Sequence, residues 1–312
     1  MIGRVTNEMS SQMVLSGIES SLDRLDNTEQ ELSTGLQINQ PSDNPYGTSV
    51  TLDMNQQLSN LTGYNNNVTD GTAWAQASTS ALSDMTNAVQ RVSELVQEAA
   101  NGSNNQSDLS DMADEVNQLI DEVKQDANTQ YNGQYIFSGS ATSTEPYPAS
   151  SGSGSTDPYS GNTSSVNREI GPNTSLAVNV QLSSVLGTGQ TTAGSSAGDG
   201  GLLNTLRNIA ADMQSGNTAA LSGADQTDLT NNLNSLEGLS STSGSISDRL
   251  QMASSRIASL QTSDTSVLSN TQDADMAATE TQFSTEQAAL QAALQGGASI
   301  VQQSLMNFLS TS

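Results

Sequence analysis

Near the carboxyl end, apolar residues recur at alternating spacings of three and four. They are Met276, Phe283, Leu290, Leu294, Val301, Leu305 and Phe308, with Glu280, Gln287 and Gly297 at the intervening positions. That period fits one stripe of an α-helix and no face of a β-strand. The same spacing runs through Leu15, Ile18, Leu22, Leu25, Leu32 and Leu36, with Glu29 at the one polar position. Two such stripes at opposite ends of a chain leave few topologies: the ends pair as a coiled coil, or other subunits cover them. Gly17, Gly35, Gly296 and Gly297 each weaken an isolated helix by roughly 1 kcal/mol relative to alanine. A two-helix hairpin built from these ends is therefore marginal alone, which favours termini that order when packed against neighbouring subunits. The thirteen apolar residues named here are the candidate assembly interface.

Between the ends the period breaks twice. Pro41 and Pro45 end the first helix, and Asn44-Pro45 reads as the N-cap and first residue of the next. The second break lies between about Leu268 and Ala277, because the run Ile246, Leu250, Ala253, Ile257, Leu260 and Val267 would continue onto Thr271, Ala274 and Ala278 rather than Met276. Helical periodicity also marks Leu82, Met85, Val89, Val92 and Val96, then Leu109, Met112, Val116, Leu119 and Val123, then Leu202, Leu206, Ile209 and Met213. Gln134 to Gly139 is a short β-type stretch. Residues 140–200 are rich in Ser, Gly, Thr and Pro, with strand-like patches at Val166–Ile170 and Leu176–Val180 joined by mobile loops, and part of 149–157 reads as disordered.

The expected fold is mainly α: an elongated multi-domain rod of long helices and a terminal coiled coil, with a small β-rich insert. Residues 1–40 with 277–312 form the terminal module, 41–138 with 201–276 a helical rod domain, and 139–200 an outward-facing insert. Scarce aromatics, 3% of the chain, suit helix-helix packing better than a deep sandwich core.

Charge and composition remove most chemistries. With 33 acidic residues against 8 basic ones and a formal charge of -25, the chain repels polyanions, so nucleic acid is excluded as a partner. No run of apolar residues is long enough for membrane insertion. Cysteine and histidine are absent, which takes away thiol nucleophiles, imidazole bases and most transition-metal sites. Acid pairs such as Asp121 with Glu122, or Asp273 with Asp275, read as solvated helix faces rather than catalytic dyads. Gly187 and Gly189 lack the lysine of a phosphate loop, and Asp199-Gly200 lacks the alternating acids of a calcium loop. No catalytic residue, cofactor or metal is assigned. The start, Met1 to Thr6, has no apolar core of a cleavable signal peptide.

Specific motifs carry a resemblance. Leu32-Ser33-Thr34-Gly35-Leu36, then Pro41-Ser42-Asp43-Asn44-Pro45, then Asn132-Gly133-Gln134-Tyr135-Ile136-Phe137-Ser138-Gly139, resemble the flagellin superfamily and, within it, the hook-associated protein 3 family of hook-filament junction proteins. Asp273 to Ala277, Gln287 to Gln295 and Ser304 to Leu309 are similar to the terminal region that flagellins and junction proteins share. The chain departs from the junction pattern at Asn44, where a second acid is common, and at Met306-Asn307-Phe308, where an acid and an aromatic pair are common.

The resemblance implies a non-enzymatic, extracellular subunit of the bacterial flagellum, at the hook-filament junction. It implies export without a cleaved signal through the flagellar export apparatus, with an export chaperone, and self-association in a ring. Hook-associated protein 1 and flagellin are the implied neighbours. Two alternatives stand beside it: flagellin itself, the main filament subunit, and a secreted glycan-binding or adhesive protein using Trp74, Tyr147 and Tyr159.

Overall fold

The computed structural model describes residues 7–101, 104–148, 157–189 and 199–310. Long helices dominate, and the described strands form two small antiparallel hairpins. In chain order the elements are α1 (Asn7–Thr34), α2 (Pro45–Ala100), α3 (Gln106–Ala127), β1 (Gln130–Tyr131), β2 (Gln134–Tyr135), β3 (Asn167–Gly171) and β4 (Thr174–Ala177). They continue with α4 (Ser183–Leu186), α5 (Leu202–Ser215), α6 (Thr218–Leu221), α7 (Ala224–Gln272) and α8 (Met276–Ser310). Two compact units result, one of Met1–Asn60 with Leu260–Ser312 and one of Leu61–Ser259. The helices α2 and α7 each contribute residues to both. The stretch 149–157, read from the sequence as partly disordered, falls almost wholly outside the described residues, as does the segment Met1 to Thr6.

In the larger unit the helical periods close a single core. Val68, Leu82, Met85, Val89 and Val96 of α2 are buried, as are Val116, Ile120 and Val123 of α3, Leu206, Ile209 and Met213 of α5, and Leu229, Leu236, Ile246 and Leu250 of α7. Gly71 lets α2 come close to its neighbours: a Cβ there would stand 3.1 Å from Val178 Cγ1 and 3.3 Å from Leu250 Cδ2. The helix α3 starts on a capping box, in which Asn105 Oδ1 accepts from the Ser107 and Asp108 amides and Asp108 Oδ2 accepts from the Asn105 amide.

The β-type stretch near residue 134 is the second arm of a hairpin, with Gln130 paired to Tyr135 and Tyr131 to Gln134. Its turn residues, Asn132 (φ 50°) and Gly133 (φ 74°), are both left-handed, the two-residue turn whose twist matches paired strands. Ile136 and Phe137 then enter the core. The two strand-like patches of the insert become β3 and β4, with a register irregularity between Glu169 and Gly171. Arg168 fastens this hairpin to α2, with Nε 2.8 Å from Asp70 Oδ2 and its guanidinium 6.0 Å from the Trp74 ring centroid.

A second tie is ionic and buried. Lys124 Nζ donates to Asp157 Oδ1 at 2.8 Å, Arg207 Nη2 donates to the same oxygen at 2.8 Å, and Arg207 Nε donates to Asp157 Oδ2. Lys124 and Asp157 are both buried. The glycine loop after α4 is also spoken for. The amides of Gly189 and Gly201, each at 3.0 Å, and that of Thr188 donate to the Asp199 carboxylate, so the chain's own acid fills the anion nest.

In the smaller unit the helix break expected between 268 and 277 lies at Asp273–Asp275. The end of α1 faces it: Gly35 takes a left-handed φ of 73°, the Gln37 amide donates to Gln272 O at 2.8 Å, and the Ala274 amide donates to Gly35 O at 2.9 Å. Asp275 Oδ1 then accepts from the Ala277 and Ala278 amides and starts α8. Asn44 does the same for α2, its Oδ1 accepting from the Gly47 amide at 2.9 Å. The Pro41–Pro45 stretch is further fixed by Asp43 Oδ2, which accepts from the Asn39 and Gln40 amides.

Candidate assembly interface

The helices α1 and α8 run antiparallel and pack along their length. Three contacts fix the register: Leu36 bridges Asp273, Arg24 meets Glu286, and Val14 meets Gly297. Arg24 Nε donates to Glu286 Oε2 at 3.1 Å and Oε1 at 3.2 Å, while Nη1 and Nη2 reach Ser20 Oγ and Ser21 Oγ. The Arg24 side chain is half exposed, so the pair contributes little beyond register.

Burial along the two helices defines the seam they share. On α1 the sheltered positions are Val14, Ile18, Ser21, Leu25, Thr28 and the adjacent Glu31 and Leu32. On α8 they are Thr279, Phe283, Glu286, Leu290, Ala293 and Gly297. Each set follows the three-four period, but in a phase that the largest side chains do not mark. Ser21, Thr28, Thr279 and Gly297 are the most deeply buried members, and all are small. Small residues let two backbones approach, and a Cβ on Gly297 would lie 3.1 Å from Val14 Cγ1 and 3.5 Å from Ile18 Cδ1. The Thr28 hydroxyl is satisfied within its own helix, donating to Leu25 O at 2.9 Å, as is that of Thr279, which donates to Asp275 O at 3.0 Å.

The thirteen residues read from the sequence therefore divide. Ile18, Leu25, Leu32, Leu36, Phe283 and Leu290 are partly buried. Leu15 (57% exposed), Leu22 (42%), Met276 (47%) and Leu294 (51%) face away from the shared seam. Met13 is also exposed. The side chains of Val301, Leu305 and Phe308 lie outside the described residues. What hydrophobicity alone passed over is the row of small residues at 21, 28, 279 and 297, which a search for small side chains in the heptad phase would have found.

No group of three or more acidic residues among those described is arranged to hold a metal ion, and no described helix is long and apolar enough to cross a membrane. The aromatics that a glycan platform would need are largely inside: Trp74 and Tyr147 are fully buried, and the Tyr159 hydroxyl donates to Phe137 O and Asn162 O.

This helical pair, with α2 and α3 between its halves in sequence, is the setting for comparison with known proteins. Residues 5–142 match the model of the bacterial flagellin N-terminal helical region. That match covers rather less than half of the chain. The matched segment takes in α1, α2, α3 and the β1–β2 hairpin. The chain is 32% identical over 100 residues to the B-type flagellin of Pseudomonas aeruginosa, a match that covers 32% of this chain and 20% of that one. It spans about a fifth to a quarter of the length of the curated flagellins it matches.

Solved structures share the fold. A Vibrio parahaemolyticus protein described as a flagellar hook-associated protein superposes with a TM-score of 0.65 at 19% identity, over 74% of this chain and 100% of that one. The flagellar hook-associated protein 3 of Legionella pneumophila gives 0.60 at 15% identity, over 70% and 97%. At these identities the likeness is one of fold.

Proposed function

We propose that this chain is a non-enzymatic structural subunit of the bacterial flagellum, located outside the cell at the junction that joins the hook to the filament. One observation carries the reading: a flagellin-type terminal helix pairs with the carboxyl-terminal helix and still leaves Leu15, Leu22, Met276 and Leu294 exposed. Apolar side chains set out at helical spacing on a terminal helix pair find their cover in other subunits. In this reading all thirteen candidate residues, Val301, Leu305 and Phe308 among them, take part in assembly. Residues 1–40 with 277–312 form the assembly module, 41–138 with 201–276 the supporting helical domain, and 139–200 an outward-facing insert. Self-association forms a ring, with hook-associated protein 1 on the hook side and flagellin on the filament side. Delivery is by the flagellar export apparatus with a chaperone.

The likeness in fold to hook-associated proteins supports the junction role over that of main filament subunit. The sequence matches to flagellins support the second reading. Imaging of native flagella labelled through the insert separates them. A narrow band at the hook-filament boundary is the expected result, and a fully decorated filament would assign the chain as flagellin. Replacing Leu15 and Leu22 with Glu tests the interface, since the monomer should keep its helicity while incorporation into flagella is lost. Normal incorporation of that variant would remove the outward stripe from the assembly surface.

A further inference from the structure

In a chain with 33 acidic residues and 8 basic ones, a cation without a carboxylate calls for a reason. Among the described residues Arg24 pairs with Glu286, Arg91 with Glu94 and Glu115, Lys124 and Arg207 with Asp157, and Arg168 with Asp70. Arg249 and Arg256 are the described basic residues with neither an ion pair nor a side-chain hydrogen bond. Both are exposed on α7. Their own helix denies them an acid, since the positions three and four residues away are Ser245, Ile246, Met252, Ala253, Ser259 and Leu260. The two arginines stand seven residues apart on one face, about 10.5 Å along the axis, and Met252 between them is 64% exposed. The helix α3 carries the reverse pattern. Leu109, Val116, Ile120 and Val123 face the core, and Asp111, Asp114, Asp121 and Glu122 are exposed on the other side. None of these four acids has an ion pair among the described residues. Asp114 and Asp121 are also seven residues apart, with the exposed Gln118 between them.

We propose that the Arg249–Arg256 face of α7 docks on the Asp114–Asp121 face of α3 in a second copy of this chain. The inference rests on the self-association proposed above and names the contact that sets its register. Charge complementarity selects the occupant: a second copy brings unpaired acids at the same spacing as the unpaired arginines. The two faces differ, so the contact is heterologous. Each copy gives one face and receives the other, an arrangement that closes into a ring or continues as a helix. Two charge pairs do not outweigh the repulsion between chains of -25 each. They decide which faces meet, because any other approach sets acid against acid, while the exposed apolar residues supply the hold.

The chain has no cysteine, so a thiol trap has no background. Met252 stands midway in one face and Gln118 midway in the other, and they meet whether the two helices run parallel or antiparallel. Full-length M252C and Q118C chains are mixed at a concentration where wild type sediments as a multimer, then treated with a short thiol-to-thiol cross-linker. The mixed product should exceed either homodimer, and it should vanish when the M252C chain also carries R249E and R256E. A multimer without the mixed product overturns the docking and leaves self-association standing. A wild-type chain that stays monomeric overturns self-association and the docking with it. Sedimentation of charge variants gives a second reading. R249E with R256E should weaken association at least about tenfold with helicity unchanged, and adding D114R with D121R to the same chain should restore it. Unchanged association in the double variant, or no recovery in the fourfold one, overturns the proposal.

Discussion

Two adjacent glycines in α8 have opposite surroundings. A Cβ on Gly296 would meet nothing within 4 Å, whereas one on Gly297 would press on Val14 and Ile18. Replacing a solvent-facing helix glycine with alanine gains roughly 0.5–1 kcal/mol, so G296A should raise both the helicity of the monomer and its urea midpoint. G297A should gain nothing or lose stability, because the close approach offsets the propensity term. Equal stabilisation by the two would mean that α1 and α8 are not in contact at Gly297. The same pair shows why the seam was only half legible. Successive residues on a helix are separated by roughly 100°, and the stripes beginning at Val14 and at Leu15 share Ile18, Leu25 and Leu32. Hydrophobicity selects the stripe with more leucine, while close packing selects the one with Ser21 and Thr28. The period was written in the sequence; the phase depended on backbone separation, which side-chain hydropathy does not encode.

Among elements, α3 offers the cleanest test of local coding. N105A removes an acceptor shared by two backbone amides and should cost about 1 kcal/mol in urea unfolding of the full chain. D108A, which loses the reciprocal bond and an acid at the positive helix end, should cost a similar amount. An N105A variant as stable as wild type would show that the first turn is held by tertiary contacts instead. Asn44 was readable as the cap of α2. The continuity of α2 was not. Its apolar pattern is weak through Met54 and Leu58, then strong from Leu82 onward, yet the backbone is one helix from Pro45 to Ala100. Residues up to Asn60 belong to one compact unit and those from Leu61 to the other, so the face that needs burying changes while the helix continues. Periodicity records neighbours, and a change of neighbours looks like a break.

At the scale of the molecule, charge sets the conditions for association. Copies carrying -25 each repel over a Debye length that shortens from about 30 Å to about 10 Å between about 0.01 M and about 0.1 M salt. Self-association measured by sedimentation should therefore strengthen across that range. Weakening by salt would show that the copies are held by opposite charges rather than by the exposed leucines.

The buried Lys124–Asp157–Arg207 cluster adds a consequence of a different kind. Lys124 is the sole lysine of the chain, so a single side-chain amine exists and an aspartate inside the fold holds it. Acylating dyes, aldehyde fixatives and lysine-specific proteases meet no lysine target on the folded surface. Cleavage at Lys124 would instead register the opening of the insert, giving the chain its own reporter of unfolding without an engineered label.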